Sequence, residues 1–197
     1  LPNGLHIWIA PDKELKYLVS IDPGVAIESE TVITVWQFYL KEGQEYAKYC
    51  AALGGLIMPE RAGELAIDVA RLYNGAMITW DAASQGLAVA SALKRYGNVY
   101  MRKDVYSGKM SSEVGWLSTP RTRQFMYSQM CKMLPNMTCY DIRAVSQLKN
   151  IRWDSNRKRL FAVGMDDYHD SMAIAMCCRD SMPVTRGFAF QAGRKSW

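Results

Sequence analysis

Three apolar segments of the chain, "YLVSIDPG" (17–24), "AMITWDAASQG" (76–86) and "RLFAVGMDDYHDS" (159–171), each run directly into an acidic residue. A carboxylate left unpaired at the tip of a buried strand is costly, because its charge leaves water without a partner. Three such tips in one chain point to a fold that gathers them around something positive. Adjacent strands lie about 4.8 Å apart, so groups at neighbouring strand ends can converge on one point. On this reading Asp22 and Asp81 end two strands, and Asp170 caps the last helix just beyond a third.

The segments between these tips set the architecture. "KYLVSI" (16–21) and the β-branched, aromatic "TVITVWQFYL" (31–40) read as strands, with "KEGQ" (41–44) as a hairpin turn. "EYAKYCAAL" (45–53) reads as a third antiparallel strand, with a helix as the alternative. Pro59 opens a helix to Tyr73, with Leu65, Val69, Leu72 and Tyr73 at helical spacing, and "NG" (74–75) stops it. A strand (76–80), a helix (87–96, facing inward through Val89, Ala92, Leu93 and Tyr96) and a strand (98–102) follow. Residues 103–118 are polar and turn-rich, a loop or hairpin arm. Thr119-Pro120 marks a helix start, with Met126, Met130, Met133 and Leu134 on its core face. A shorter helix (140–151), a strand (158–164) and a helix packed on apolar surface (171–178) complete the pattern. Three antiparallel strands followed by alternating helices and strands predict an α/β fold: a mixed sheet with helices on both faces. The core spans about 16–178, within a single domain covering 1–197, and residues 183–197 are expected to be loose.

Composition narrows the partners. With 49% hydrophobic and 22% charged residues among 197, the chain reads as a soluble globular protein. Its net charge of +5 permits an anionic partner, and Lys and Arg thicken in "KRYGNVYMRK" (94–103), "PRTRQ" (120–124) and "IRWDSNRKR" (151–159). Five cysteines with no CxxC pair read as reduced, buried thiols, and His6 and His169 are too few for a zinc site of the Cys/His type. There is no membrane-spanning run, no signal-peptide pattern and no GxxxxGK[ST] phosphate loop. A chain that starts at Leu1 is expected to be part of a longer protein.

Each acid has a plainer role available: Asp22 as a turn residue before Pro-Gly, Asp81 as a loop starter, Asp170 as a helix N-cap. Taken together, an all-oxygen set suits Mg²⁺ or Mn²⁺, and a pair of such ions is the arrangement used for phosphodiester cleavage.

The finer motifs resemble the C-terminal nuclease domain of the large terminase subunit of tailed phages, which has the ribonuclease H-like fold. The match runs through "SIDPGVAIESETVITV", "LYNGAMITWDAASQG", "GWLSTPRTRQFM" and "YHDSMAIAM", in that order, over about 16–178. The resemblance implies that Asp22, Asp81 and Asp170 are the metal-binding acids of a two-metal Mg²⁺ or Mn²⁺ endonuclease acting on double-stranded DNA during genome packaging. It implies further an upstream ATPase domain, a portal and a small terminase subunit as partners, and the host cytoplasm as location. Two departures from the family pattern stand out. Asp81 replaces the usual glutamate, with Ala83 where an asparagine is usual, and Ser171 replaces the second aspartate of the closing motif. Asp166 or Asp167 are candidates to compensate, Glu28 or Glu30 corresponds to the acid after the first strand, and His169 is a candidate for proton transfer or for orienting a ligand. Arg102, Lys103, Lys109, Arg121 and Arg123 flank the 103–118 arm and are candidates to hold DNA phosphates. The competing expectations are a junction resolvase or transposase-like nuclease of the same fold, and a non-catalytic DNA- or portal-docking module.

Overall fold

The structure, a computed structural model, describes residues 4–182 together with Thr185–Arg186. Strands β1 (His6–Ile7), β2 (Leu18–Asp22), β3 (Thr31–Lys41), β4 (Gln44–Gly55) and β5 (Met77–Trp80) lie in the order β1-β4-β3-β2-β5. The β2–β3 and β3–β4 pairs are antiparallel, whereas β5 runs parallel to β2. The β3–β4 hairpin turns through Glu42 and Gly43, both in the left-handed region (φ 54° and 78°). A two-residue turn of that kind matches the strand twist and fixes the register. Segment 45–53 is therefore strand and not helix.

Alternation along the strands divides the interior into two cores. Val19, Ile21, Ile33, Val35, Ile78 and Trp80 face α1 (Pro59–Leu72) and α2 (Gly86–Leu93). Leu18, Val32, Trp36 and Tyr49 face the other way, toward α3 (Pro120–Met133) and α5 (Asp167–Cys178). Helices on both faces of a mixed sheet are the architecture that the element order predicts. The buried stripe of α1 is Ala62, Ala66, Val69, Ala70 and Tyr73, so small residues let it lie close, and Leu65 and Leu72 sit at the stripe's edge. Asn74 and Gly75, at φ 60° and 69°, end that segment where "NG" predicts.

Between α2 and α3, β6 (Met101–Lys103) pairs with β7 (Met110–Val114) as a hairpin arm. The rest comprises β8 (Met137–Thr138), α4 (Ile142–Leu148), β9 (Ile151–Asp154), β10 (Arg159–Ala162) and β11 (Thr185–Arg186). Several local expectations shift. Helix α2 ends at Leu93, leaving Tyr96 to donate its hydroxyl hydrogen to the Ala76 carbonyl, 2.7 Å away. The predicted strand 98–102 becomes a single parallel bridge from Val99 to Ile78, followed by β6. Leu134 lies past the end of α3 and is 41% exposed.

Two differences bear on the acids. Strand β10 pairs only with β9, in a separate two-stranded hairpin, so the third apolar run is no part of the central sheet. Helix α5 starts at Asp167, four residues before the predicted 171, so Asp170 lies inside the helix and does not cap it. Of the expected loose tail at 183–197, only Thr185–Arg186 lie within the described residues, and they pair parallel with Tyr39–Leu40. No helix of the described residues is long and apolar enough to cross a membrane. All five cysteines are free thiols.

Candidate active site

Parallel register brings the first two acids together. Ile21 stands opposite Trp80, so Asp22 and Asp81 follow side by side, and the Asp81 amide donates to the Ile21 carbonyl at 3.0 Å. Asp22 is four residues beyond Leu18 and points to the same face, the one that α5 crosses.

That face is not the apolar surface expected for the last helix. Ser20, Thr34 and Thr79 are buried on it, and α5 answers them with polar groups. The Ser171 hydroxyl donates to the Ser20 carbonyl at 3.1 Å and lies 2.9 Å from Thr34 Oγ1. Cys178 Sγ lies 3.2 Å from Thr79 Oγ1. Ser171 is thus turned to the sheet and pins the helix. Asp170, one residue earlier and 4% exposed, is delivered to the end of β2 by that anchoring.

The acids act on one another. Burial pushes the Asp22 carboxyl well above the usual range, and the charges of Asp170, Asp81, Asp167 and Asp166 push it further. Burial, then Asp166, Glu30 and Asp170, raise Asp167 to about 6. Asp166 is raised by burial and by Asp170, with Arg123 working against both. The charges of all four other aspartates thus reach Asp22, the convergence that a shared cation site requires. Of the two glutamates, Glu30 is the one that acts on Asp167, while Glu28 is exposed. Gly24 shapes this loop: a Cβ there would lie 2.4 Å from the Glu30 carbonyl oxygen, so only glycine lets the chain fold back so tightly.

The positive group among the acids is Arg123. Its Nη2 is 3.1 Å from Asp170 Oδ2 and its Nη1 is 3.9 Å from Asp166 Oδ2. Sequence reasoning grouped Arg123 with the arm. The helical spacing of Arg123, Tyr127 and Met130, which places all three on the face toward α5, was the signal available. His169 is buried, with Nδ1 3.0 Å from Asp170 Oδ1 and its ring edge-on to Tyr127 at 4.7 Å. The first contact orients Asp170, and the second holds the His169 ring that makes it. Asp81 Oδ1 accepts from the amides of Ala83 (3.0 Å) and Ser118 (3.3 Å), which fixes that carboxylate and ties it to the segment entering α3.

Among the described residues, no three His, Cys, Asp or Glu side chains already stand as a closed metal-binding group. The donor chemistry nonetheless fits a hard divalent cation: oxygen ligands only, shielded from solvent in part or in full, with charges that repel at Asp22.

The other basic candidates lie on the arm and beside it. Arg102 donates to the carbonyls of Gly115 (3.1 Å) and Val114 (3.0 Å), bracing the hairpin. Arg121 stacks on the Tyr106 ring at 3.7 Å, while Lys103 and Lys109 are exposed. A cavity of about 370 Å³ opens between the arm and the start of α3, walled by Arg102, Tyr106, Trp116 and Arg121.

No protein-family model matches the chain, and no curated protein matches it in sequence. Solved structures do. The large terminase nuclease from thermophilic phage G20c with bound magnesium aligns with a TM-score of 0.68 at 15% identity, over 90% of this chain and 88% of that one. The same nuclease with bound zinc aligns with a TM-score of 0.63 at 16% identity, over 90% and 89%. The large terminase nuclease domain from bacteriophage SPP1 with bound manganese aligns with a TM-score of 0.60 at 14% identity, over 89% of this chain and 94% of that one. Alignment over about nine-tenths of the chain gives this mixed sheet with helices on both faces the ribonuclease H-like fold of large terminase nuclease domains.

Proposed function

We propose that the chain is a metal-dependent endonuclease that cleaves double-stranded viral DNA, working as the nuclease part of a terminase large subunit. The observation that carries this reading is the meeting of Asp22, Asp81 and Asp170 at one end of the sheet, within that fold. Asp22, Asp81 and Asp170 would hold divalent cations, Mg²⁺ or Mn²⁺, with Asp166, Asp167 and Glu30 at the periphery. Such ions supply a nucleophile at neutral pH and stabilise charge on the leaving oxygen.

The chain's own residues do the rest. His169 holds the Asp170 carboxylate through Nδ1, and the Ala83 and Ser118 amides hold Asp81, so two of the three ligands are oriented in advance. Among the described residues Asp22 has no such tether, so of the three acids it is the one most free to adjust. Arg123 neutralises Asp166 and Asp170 in the metal-free protein and is positioned to meet a DNA phosphate arriving at the same acids. Lys103 and Lys109 on the arm would take neighbouring phosphates, with Arg102 and Arg121 bracing the arm that presents them. In the full motor the partners would be an ATPase domain, a portal and a small terminase subunit, in the host cytoplasm.

The test is plasmid cleavage in Mg²⁺, in Mn²⁺ and in EDTA, with Asp22→Asn as control. Nicking and linearisation that need metal and are lost in the variant support the reading. Absence of cleavage in both metals overturns it in favour of a docking module, and cleavage confined to branched DNA favours a junction-resolving enzyme.

A further inference from the structure

The first turn of α5 carries Asp167, His169 and Asp170, and Asp166 precedes it, so whatever fixes that turn fixes half of the candidate site. Helix starts leave amide hydrogens without intrahelical partners, and the N-cap side chain ordinarily accepts one of them. Here it does not. Asp166 occupies the N-cap position, at φ −134° and ψ 7°, and its carboxylate makes no capping hydrogen bond. That carboxylate is turned to Arg123 instead.

The acceptor comes from another helix. Gln147 Oε1, on α4, accepts from the Tyr168 amide at 2.7 Å and from the His169 amide at 3.3 Å. Helix α4 is itself anchored to the sheet. Asp141, 2% exposed, caps α4 by accepting from the Arg143 amide at 3.0 Å. Its other oxygen accepts from the Tyr49 hydroxyl on β4 at 3.2 Å, and the Arg143 guanidinium bonds both oxygens at 3.3 Å. A continuous chain of hydrogen bonds therefore leads from β4 through Asp141 and α4 to Gln147, and from there to the backbone beneath Asp170.

We propose that Gln147 is a positioning residue for the metal site. By capping α5 from outside, it holds the turn that carries Asp167, His169 and Asp170, and it releases Asp166 from capping so that its carboxylate stays available at the site. This assignment rests on the nuclease reading for its purpose, but the cap itself stands on geometry alone.

The test compares Gln147→Met, which keeps length and volume but removes the acceptor, with Gln147→Glu, which restores an acceptor oxygen at the same reach. Amide hydrogen exchange by NMR is measured on the metal-free protein, and Mn²⁺ titrations of DNA cleavage follow. In Gln147→Met the Tyr168 and His169 amides should exchange about fivefold to tenfold faster, the scale of a lost cap, while amides of β2 and β3 keep their wild-type rates. Half-saturating Mn²⁺ should rise by a similar factor, with the maximal cleavage rate within about twofold of wild type. Gln147→Glu should restore protection at both amides. Faster exchange spread evenly over α5 and the sheet, or unchanged protection at Tyr168 and His169, would overturn the proposal. Failure of the wild type to cleave DNA in any metal would refute the nuclease reading instead, and the exchange measurement would still decide the cap.

Discussion

Replacing Asp22 by asparagine should stabilise the metal-free protein while abolishing its activity. Asp22 is half-buried and repelled by four other aspartates, Asp170 first and Asp81 next. At the ends of adjacent strands two carboxylates stand roughly 5–6 Å apart, where an effective dielectric constant of about 20 gives a repulsion of about 3 kcal/mol. The Asp170 repulsion is larger still, and the attraction of Arg123 offsets part of the sum. The net relief should raise Tm, by about 2–4 °C for each kcal/mol in a chain of this size. The effect has a pH signature. Because the folded-state pKa of Asp22 is raised, the native state binds its proton more tightly than the unfolded chain does. Stability from that proton is fully present below about pH 4 and is lost as pH rises through the raised value. The advantage of Asp22→Asn should therefore be larger at pH 8 than at pH 4, where both the folded and the unfolded wild type hold the proton. Thermal unfolding of both proteins in EDTA at pH 8 and pH 4, followed by circular dichroism, measures it. Millimolar Mn²⁺ should raise the wild-type Tm and leave the variant unmoved. A variant no more stable than wild type at pH 8 in EDTA would refute the idea that these acids repel around a shared cation site.

Asp170→Asn should abolish cleavage of supercoiled plasmid, with a loss of at least a thousandfold under saturating Mn²⁺, because both Arg123 and His169 are arranged around the charged carboxylate. Mn²⁺ should support faster cleavage than Mg²⁺, since a site with Asp81 in place of a longer glutamate departs from the near-ideal octahedron that Mg²⁺ demands; initial rates in each metal decide it. Gly86→Ala should impair cleavage and lower Tm although Gly86 brings no side chain to the site, because its Cβ would lie 1.9 Å from the Asp81 carbonyl oxygen and push that residue from its register. Lys103→Ala with Lys109→Ala should weaken DNA binding and flatten its dependence on salt, each lost phosphate contact lowering the slope by about one, while Mn²⁺ affinity stays at the wild-type value.

Much of this fold was legible in local chemistry. The β-branched and aromatic run Thr31–Lys41, the tight turn at Glu42-Gly43 and the Pro59 and Thr119-Pro120 helix starts each carry their own signal within a few residues. What was not legible depends on contacts far apart in sequence. An apolar run such as Arg159–Ala162 reads as a strand whatever it pairs with, and nothing local says that its partner is Ile151–Asp154 instead of the central sheet. The start of α5 was hidden because its first turn, "DYHD", has neither apolar periodicity nor a working cap of its own. Its cap is Gln147, some twenty residues upstream. Arg123 reads as a phosphate contact beside the arm, and its ion pairs with Asp166 and Asp170 emerge only from the packing of α3 on α5.

The correction at Asp170 explains more than the expectation it replaces. Three strand tips would deliver one acid each, because side chains alternate across a sheet and only one residue per strand end can face the site. A helix lying across the sheet face delivers several, since positions three and four apart share one side. Asp166 and Asp170 are four apart and Asp167 and Asp170 three apart, so one turn of α5 brings three carboxylates to the end of β2, with His169 folded beneath them. That density of like charge is tolerable only if the helix cannot slide. The pins are Ser171 on Ser20 and Thr34, Cys178 on Thr79, and Gln147 on the amides of Tyr168 and His169. None of these groups belongs to the acid cluster. All of them restrain the helix against the repulsion that a cation would relieve.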